Sequence, residues 1–153
     1  MMTTSRQQEK PMPTQYDWPL TYIQQSQPMS CWAASAAMLT GRTEADVLQE
    51  FAEFGSDGAD EPECQALAQR LSLNIMPEAC RTTEGWVQLI AGGAVMVGIP
   101  NHFIVVSGIY VDDAGNAQVH VLDPANGDSW QVLETVENGY EEDWNFSYDL
   151  LQK

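Results

Sequence analysis

Cys31-Trp32-Ala33-Ala34-Ser35-Ala36-Ala37-Met38-Leu39-Thr40-Gly41 is the stretch from which the rest of the chain can be read. Ala, Met and Leu are strong helix formers, Ser30 suits an N-cap, and Gly41 supplies the residue on which helices commonly stop. The run therefore predicts a first helix beginning at Cys31. Its small residues allow close packing against neighbours, and Trp32 is expected to shield one side of the sulfur from water.

Working outward, the C-terminal side continues as helix. Thr43 with Asp46 has the form of a capping box, and Val47, Leu48, Phe51 and Phe54 recur at helical spacing up to Gly55. Pro62 suits a first helical turn ahead of Leu67, Ala68 and Leu71, and Thr83 opens a further stretch with Trp86, Leu89 and Ile90. After Gly93 the period changes. Ala94 to Ile99, Phe103 to Val111, Gln118 to Leu122 and Trp130 to Leu133 are β-branched extended runs. Asp112 to Asn116 and Ala125 to Asp128 between them have hairpin-turn composition, which predicts antiparallel pairing. A helical block followed by a sheet block is an α+β pattern, with the seam between them as the natural cleft. On the N-terminal side, residues 1–15 are polar and carry two prolines, so they are assigned to a flexible tail and residues 16–153 to the domain. Leu20 to Ile23 reads as a short extended segment before the polar loop Gln24 to Ser30.

Composition sets the limits. A chain of 153 residues with 44% hydrophobic content matches one compact domain. Six Lys and Arg against 22 Asp and Glu give a net charge of −16, which repels phosphate backbones and anionic membranes. Nucleic acid and membrane partners are excluded on that ground. No apolar stretch approaches the roughly 20 residues of a spanning helix, and the N-terminus lacks the apolar core of a secretory signal. A soluble, cytoplasmic protein is expected. Cys31, Cys64 and Cys80 are irregularly spaced and odd in number, which suits a reducing compartment, with a Cys64–Cys80 bridge as the alternative. Neither Cys-x-x-Cys nor His-x-x-x-His occurs, so no metal and no cofactor is expected.

Three residues are candidates for chemistry. A cysteine in the first turn of a helix meets unpaired N–H groups and the positive end of the macrodipole, both of which favour thiolate. Cys31 is so placed, although a buried structural cysteine is the ordinary alternative. His102 begins the apolar run His-Phe-Ile-Val-Val-Ser-Gly-Ile, where an imidazole could serve as general base; alternation places it with Ile104, Val106 and Gly108 on the face expected to reach the thiol. Asp123 ends the strand Val119 to Leu122, and a hairpin around Asp112 to Asn116 would bring it beside His102, there to hold the imidazole tautomer. Turn initiation ahead of Pro124 is the alternative role for Asp123, and Asn126 and Asp128 are rival orienters. His120 alternates away from Asp123 and ranks below His102. The acidic runs Asp57 to Glu63 and Glu137 to Asp143 are read as solvated surface dense enough to meet a basic partner.

With Gln25 six residues before Cys31, the run Gln27-Pro28-Met29-Ser30-Cys31-Trp32-Ala33-Ala34, His102 opening its strand, and Val121-Leu122-Asp123-Pro124, the sequence resembles the papain-like cysteine peptidases, in particular their compact bacterial branch of bacteriocin-processing and effector peptidases. Cys-Gly does not precede Ser30, and Asp stands where papain has Asn. The resemblance implies a papain-like fold, with a catalytic cysteine at a helix start packed on a C-terminal antiparallel sheet. It implies a cysteine endopeptidase acting through an acyl-enzyme, with Cys31 as nucleophile, His102 as base, Asp123 as orienter and Gln25 in the oxyanion hole. Gln24 and Gln27 are neighbours that could be confused with Gln25. It further implies a protein substrate cut at small-residue or double-glycine sites, a toxin or effector role with delivery by a specialised secretion system, and a cognate inhibitor or immunity protein. A deamidase, transglutaminase or amidase on the same fold, or a non-catalytic binding module, are the alternatives.

Overall fold

The computed structural model describes residues 14–54, 61–76, 82–99, 102–139 and 150–153. In chain order the elements are β1 (Thr14–Asp17), α1 (Cys31–Thr40), α2 (Glu44–Glu50), a 3₁₀ turn (Ala52–Phe54), α3 (Glu61–Leu71), β2 (Asn74–Met76) and α4 (Thr83–Ala91). There follow β3 (Val95–Ile99), β4 (His102–Val111), β5 (Ala117–Asp123), β6 (Gly127–Val132), α5 (Leu133–Gly139) and β7 (Leu150–Gln152). The strands form one sheet in the order β2-β7-β3-β4-β5-β6, with β1 also paired to β4, and every pairing is antiparallel. Helices ahead of sheet give the expected α+β architecture.

The helix read from the alanine run is present, and Gly41 closes it with φ +73°. All its residues from Cys31 to Leu39 are buried, because methyl-sized side chains let neighbouring elements approach from every side. Thr43 caps α2 by accepting from the Asp46 N–H. Trp32 is only 1% exposed and packs its indole against Phe51 and Phe54, with ring centroids 6.4 and 5.1 Å away. The ring expected to screen the sulfur thus also locks α1 to α2.

The sheet divides the core. Phe103, Val105 and Leu122 pack toward α1, whereas Ile104, Val106 and Val121 join Trp86 of α4 and Val136 of α5 on the other side. Gln152 ties β7 to the end of α4: its buried amide donates to the Leu89 and Gly93 carbonyls at 2.6 and 2.9 Å.

Several expectations are corrected. Thr14 and Gln15, assigned to the tail, already belong to β1, where pairing with Val111 and Tyr110 supplies what their polar side chains do not advertise. Leu20 to Ile23 forms no regular strand. Ser30 makes no side-chain cap on α1; its hydroxyl is committed elsewhere, as described below. The run Trp130 to Leu133 is split, since β6 ends at Val132 and Leu133 starts α5. Cys80, Gly55, most of Asp57 to Glu63 and the end of Glu137 to Asp143 lie outside the described residues, so the Cys64–Cys80 alternative does too.

β1 reaches β4 at Gly108, where a Cβ would stand 2.7 Å from the Tyr16 carbonyl oxygen and 2.8 Å from Asp17 Oδ1. Gly108→Ala is expected to force β1 away and lower stability by about 1–3 kcal/mol, read as a reduced urea midpoint at unchanged m-value.

Candidate active site

Three elements distant in sequence meet at one end of the sheet. The first turn of α1 supplies Cys31, the first residue of β4 supplies His102, and the last residue of β5 supplies Asp123. The β4–β5 register, with Val105 opposite Leu122, carries His102 and Asp123 to the same end of the hairpin, as the turn at Asp112 to Asn116 predicts. His102 Nε2 lies 2.8 Å from Asp123 Oδ1. The Cys31 thiol interacts with the same imidazole, and with Nε2 committed to the carboxylate, Nδ1 is the ring nitrogen left for that interaction.

One detail of that expectation is corrected. Ile104 and Val106, which alternate with His102, face α4 and α5 rather than α1, and the register shifts between Val106 and Gly108. His102 meets Cys31 because it is the first residue of its strand, where its side chain is not confined between the two core layers.

The electrostatics follow from burial and pairing. Burial disfavours charge on His102, but the hydrogen bond and negative charge of Asp123, together with the interaction with Cys31, outweigh it and raise the imidazole to about 9. Burial pushes Asp123 upward, and the opposing hydrogen bonds from His102, Asn126 and the Ala125 N–H bring it to about 2. Asp123 is 3% exposed. Its Oδ1 accepts from the Ala125 N–H at 2.9 Å and its Oδ2 from the Asn126 amide at 3.0 Å, so Asn126, a rival orienter by sequence, steadies Asp123 instead. The carboxylate that bonds the imidazole also shapes the Pro124 turn.

His120 is occupied elsewhere. Its Nδ1 lies 2.8 Å from Asp17 Oδ1, its Nε2 bonds Asp128, and Trp130 stacks on the ring at 4.8 Å. Gly108 stands between His120 and Asp17 in the sheet and leaves room for that contact. Asp128 is thereby committed to His120 and not to His102.

The loop before Cys31 is held at both ends. Gln25 N–H donates to the Pro124 carbonyl at 3.0 Å and the Tyr22 hydroxyl to the Asp123 carbonyl at 2.6 Å. The Gln25 side-chain amide donates to the Gln27 and Pro28 carbonyls at 2.8 and 3.0 Å, while its Oε1 is buried without a hydrogen-bond partner. Glu44 bonds Ser30 and Ser26 from α2. Sequence reasoning missed Tyr22 and Glu44, because neither lies in a motif and each acts through a backbone that only the fold brings near. Among the described residues, no three His, Cys, Asp or Glu side chains converge as a metal ion would need.

A buried helix-start thiol interacting with a strand-borne imidazole, on an α+β frame, defines a papain-like cysteine peptidase fold. Residues 12–141 match the profile of the family described as papain-like cysteine protease AvrRpt2, and the chain belongs to that family of cysteine proteases. A solved double glycine motif protease from an AMS/PCAT transporter, in complex with the leader peptide, has a similar fold. The TM-score is 0.56 at 22% identity, over 90% of this chain and 92% of that one. No curated protein matches in sequence.

Proposed function

We propose that this cysteine protease cleaves peptide bonds of a protein substrate with Cys31 as nucleophile, His102 as general acid and base, and Asp123 as the group that orients and charges the imidazole. The observation that carries the reading is His102 held at 2.8 Å by Asp123 while it interacts with the Cys31 thiol. With the imidazole raised to about 9, His102 holds a proton near neutral pH, and the attacking species is the Cys31 thiolate. Sulfur attacks the carbonyl carbon, a C–S bond forms, and the carbonyl electron pair moves onto oxygen. Collapse breaks the C–N bond as His102 delivers its proton to the leaving amine. Water, deprotonated by the now neutral imidazole, then hydrolyses the thioester.

The developing oxyanion requires donors, and the Cys31 N–H at the start of α1 and the Gln25 amide are assigned that role. Gln25 serves once its amide gives up one of the two loop carbonyls it holds. For substrate we infer a segment of small residues. The support is the similarity of fold to a protease of double glycine motifs. The effector or toxin role is proposed on the family likeness, and a cognate inhibitor of basic surface on the net charge of −16.

Labelling new protein N-termini in cells producing the wild type or Cys31→Ala tests the reading. New termini confined to the wild type, clustered after small residues, are expected. Identical terminus profiles, or substrate changed in mass at unchanged chain length, would overturn endopeptidase action in favour of a side-chain amide acceptor.

A further inference from the structure

Ser30 directly precedes the candidate nucleophile, is 2% exposed, and has the chemistry of an N-cap, yet it does not cap α1. Its hydroxyl lies 2.8 Å from Glu44 Oε2 and accepts from the Gln27 N–H at 3.1 Å. The same Oε2 accepts from the Ser26 N–H at 3.1 Å. One carboxylate oxygen on the first residue of α2 therefore gathers the loop at Ser26 and at Ser30, and through Ser30 it also fixes Gln27. Gln27 in turn supplies a carbonyl that holds the Gln25 amide.

From this we propose that Glu44 is a positioning residue that holds the Ser26–Ser30 loop so that the Gln25 amide and the Cys31 N–H are set as oxyanion donors. The proposal rests on the reading of Cys31 as nucleophile. Glu44 touches none of the reacting atoms. A carboxylate is suited to the task because it accepts two hydrogen bonds on one oxygen and makes charge-assisted bonds stronger than neutral ones. It also stands in the first turn of α2, where a negative charge is favoured by the helix and need not be drawn into the cleft. Without it, Ser30 Oγ and Ser26 N–H lose their shared acceptor, and the loop keeps Gln25 N–H on Pro124, the Tyr22 hydroxyl on Asp123 and its internal contacts.

Two reagents separate positioning of oxyanion donors from thiol activation. With 4-nitrophenyl acetate, the thiolate attacks the carbonyl, an oxyanion forms, and 4-nitrophenolate departs to leave an acetyl thioester on Cys31. With iodoacetamide, sulfur displaces iodide at a saturated carbon and no oxyanion forms. The full chain, Glu44→Ala and Glu44→Gln are compared, with Cys31→Ala as the blank for reaction elsewhere. Glu44→Ala is expected to slow acylation about 10-fold or more, against the 10²–10³ associated with complete loss of one oxyanion donor, while alkylation stays within about 2-fold. Glu44→Gln retains an acceptor oxygen at the same reach and is expected to recover most of the acylation rate. Equal acylation in all three chains, faster acylation in Glu44→Ala, or a parallel fall in acylation and alkylation would each overturn the proposal. A nitrophenolate burst that persists in Cys31→Ala would instead refute the assignment of the nucleophile, on which the proposal rests.

Discussion

Cys31→Ala is expected to abolish peptide-bond cleavage, with a loss of at least about 10⁴-fold in kcat/KM, while the chain remains folded. The magnitude follows from chemistry: among the described residues no other cysteine interacts with His102, and without Cys31 the remaining groups would have to activate a far weaker nucleophile. The fold is expected to survive because the exchange removes one sulfur from a helix already built of alanines, costing about 1 kcal/mol. Progress curves against a peptide from the mapped cleavage site, with far-ultraviolet circular dichroism as control, check both halves. Residual activity within about 10-fold of wild type would remove Cys31 from the mechanism.

The second large effect belongs to Asp123. Asp123→Asn preserves shape but removes the charge that, with the Cys31 interaction, holds the His102 imidazole at about 9. A neutral amide also cannot hold the imidazole tautomer as the carboxylate does, so kcat/KM is expected to fall by about 10²–10⁴. The pH profile carries the more specific signature. Cleavage needs imidazolium to protonate the leaving amine, so the wild-type alkaline limb is expected near pH 9, and in Asp123→Asn it should move toward lower pH by at least about one unit.

Stability follows by linkage. His102 has a raised folded value, so its contribution is full below its ordinary 6.5 and fades as pH rises through about 9. Asp123 has a lowered one, so its contribution is present above its ordinary 3.8 and is lost as pH falls through about 2. The stability gap between wild type and Asp123→Asn should therefore be widest between about pH 4 and 6.5 and narrow on both sides, as denaturant titrations across pH would read. A gap independent of pH would mean that the carboxylate acts only by shape.

Much of this architecture was legible in the chain. The alanine run ending at Gly41, the Thr43–Asp46 cap and the long β-branched runs each have a local physical cause, and each became the expected element. The meeting of His102 with Asp123 was legible too, because a hairpin with a recognisable turn fixes which residues come to its open end. Elements stabilised only by partners were not. Asn74–Met76 and Leu150–Gln152 are three residues each, too short to display a period, and Thr14–Asp17 is polar in sequence although its backbone is paired. Glu44 stayed hidden for the same reason: a solvated acid at a helix start gives no sign that two loop groups 14 and 18 residues earlier converge on it.

The position of β7 bears on how the molecule is made. β2 joins the sheet only through Leu150–Gln152, which also pair with β3 and carry the glutamine that grips the α4 turn. As the polypeptide emerges from the ribosome, its hairpins can zip locally, but the wedge between the helical half and the hairpin half arrives after them. Until it does, the seam beside Val95 and Met96 stays open.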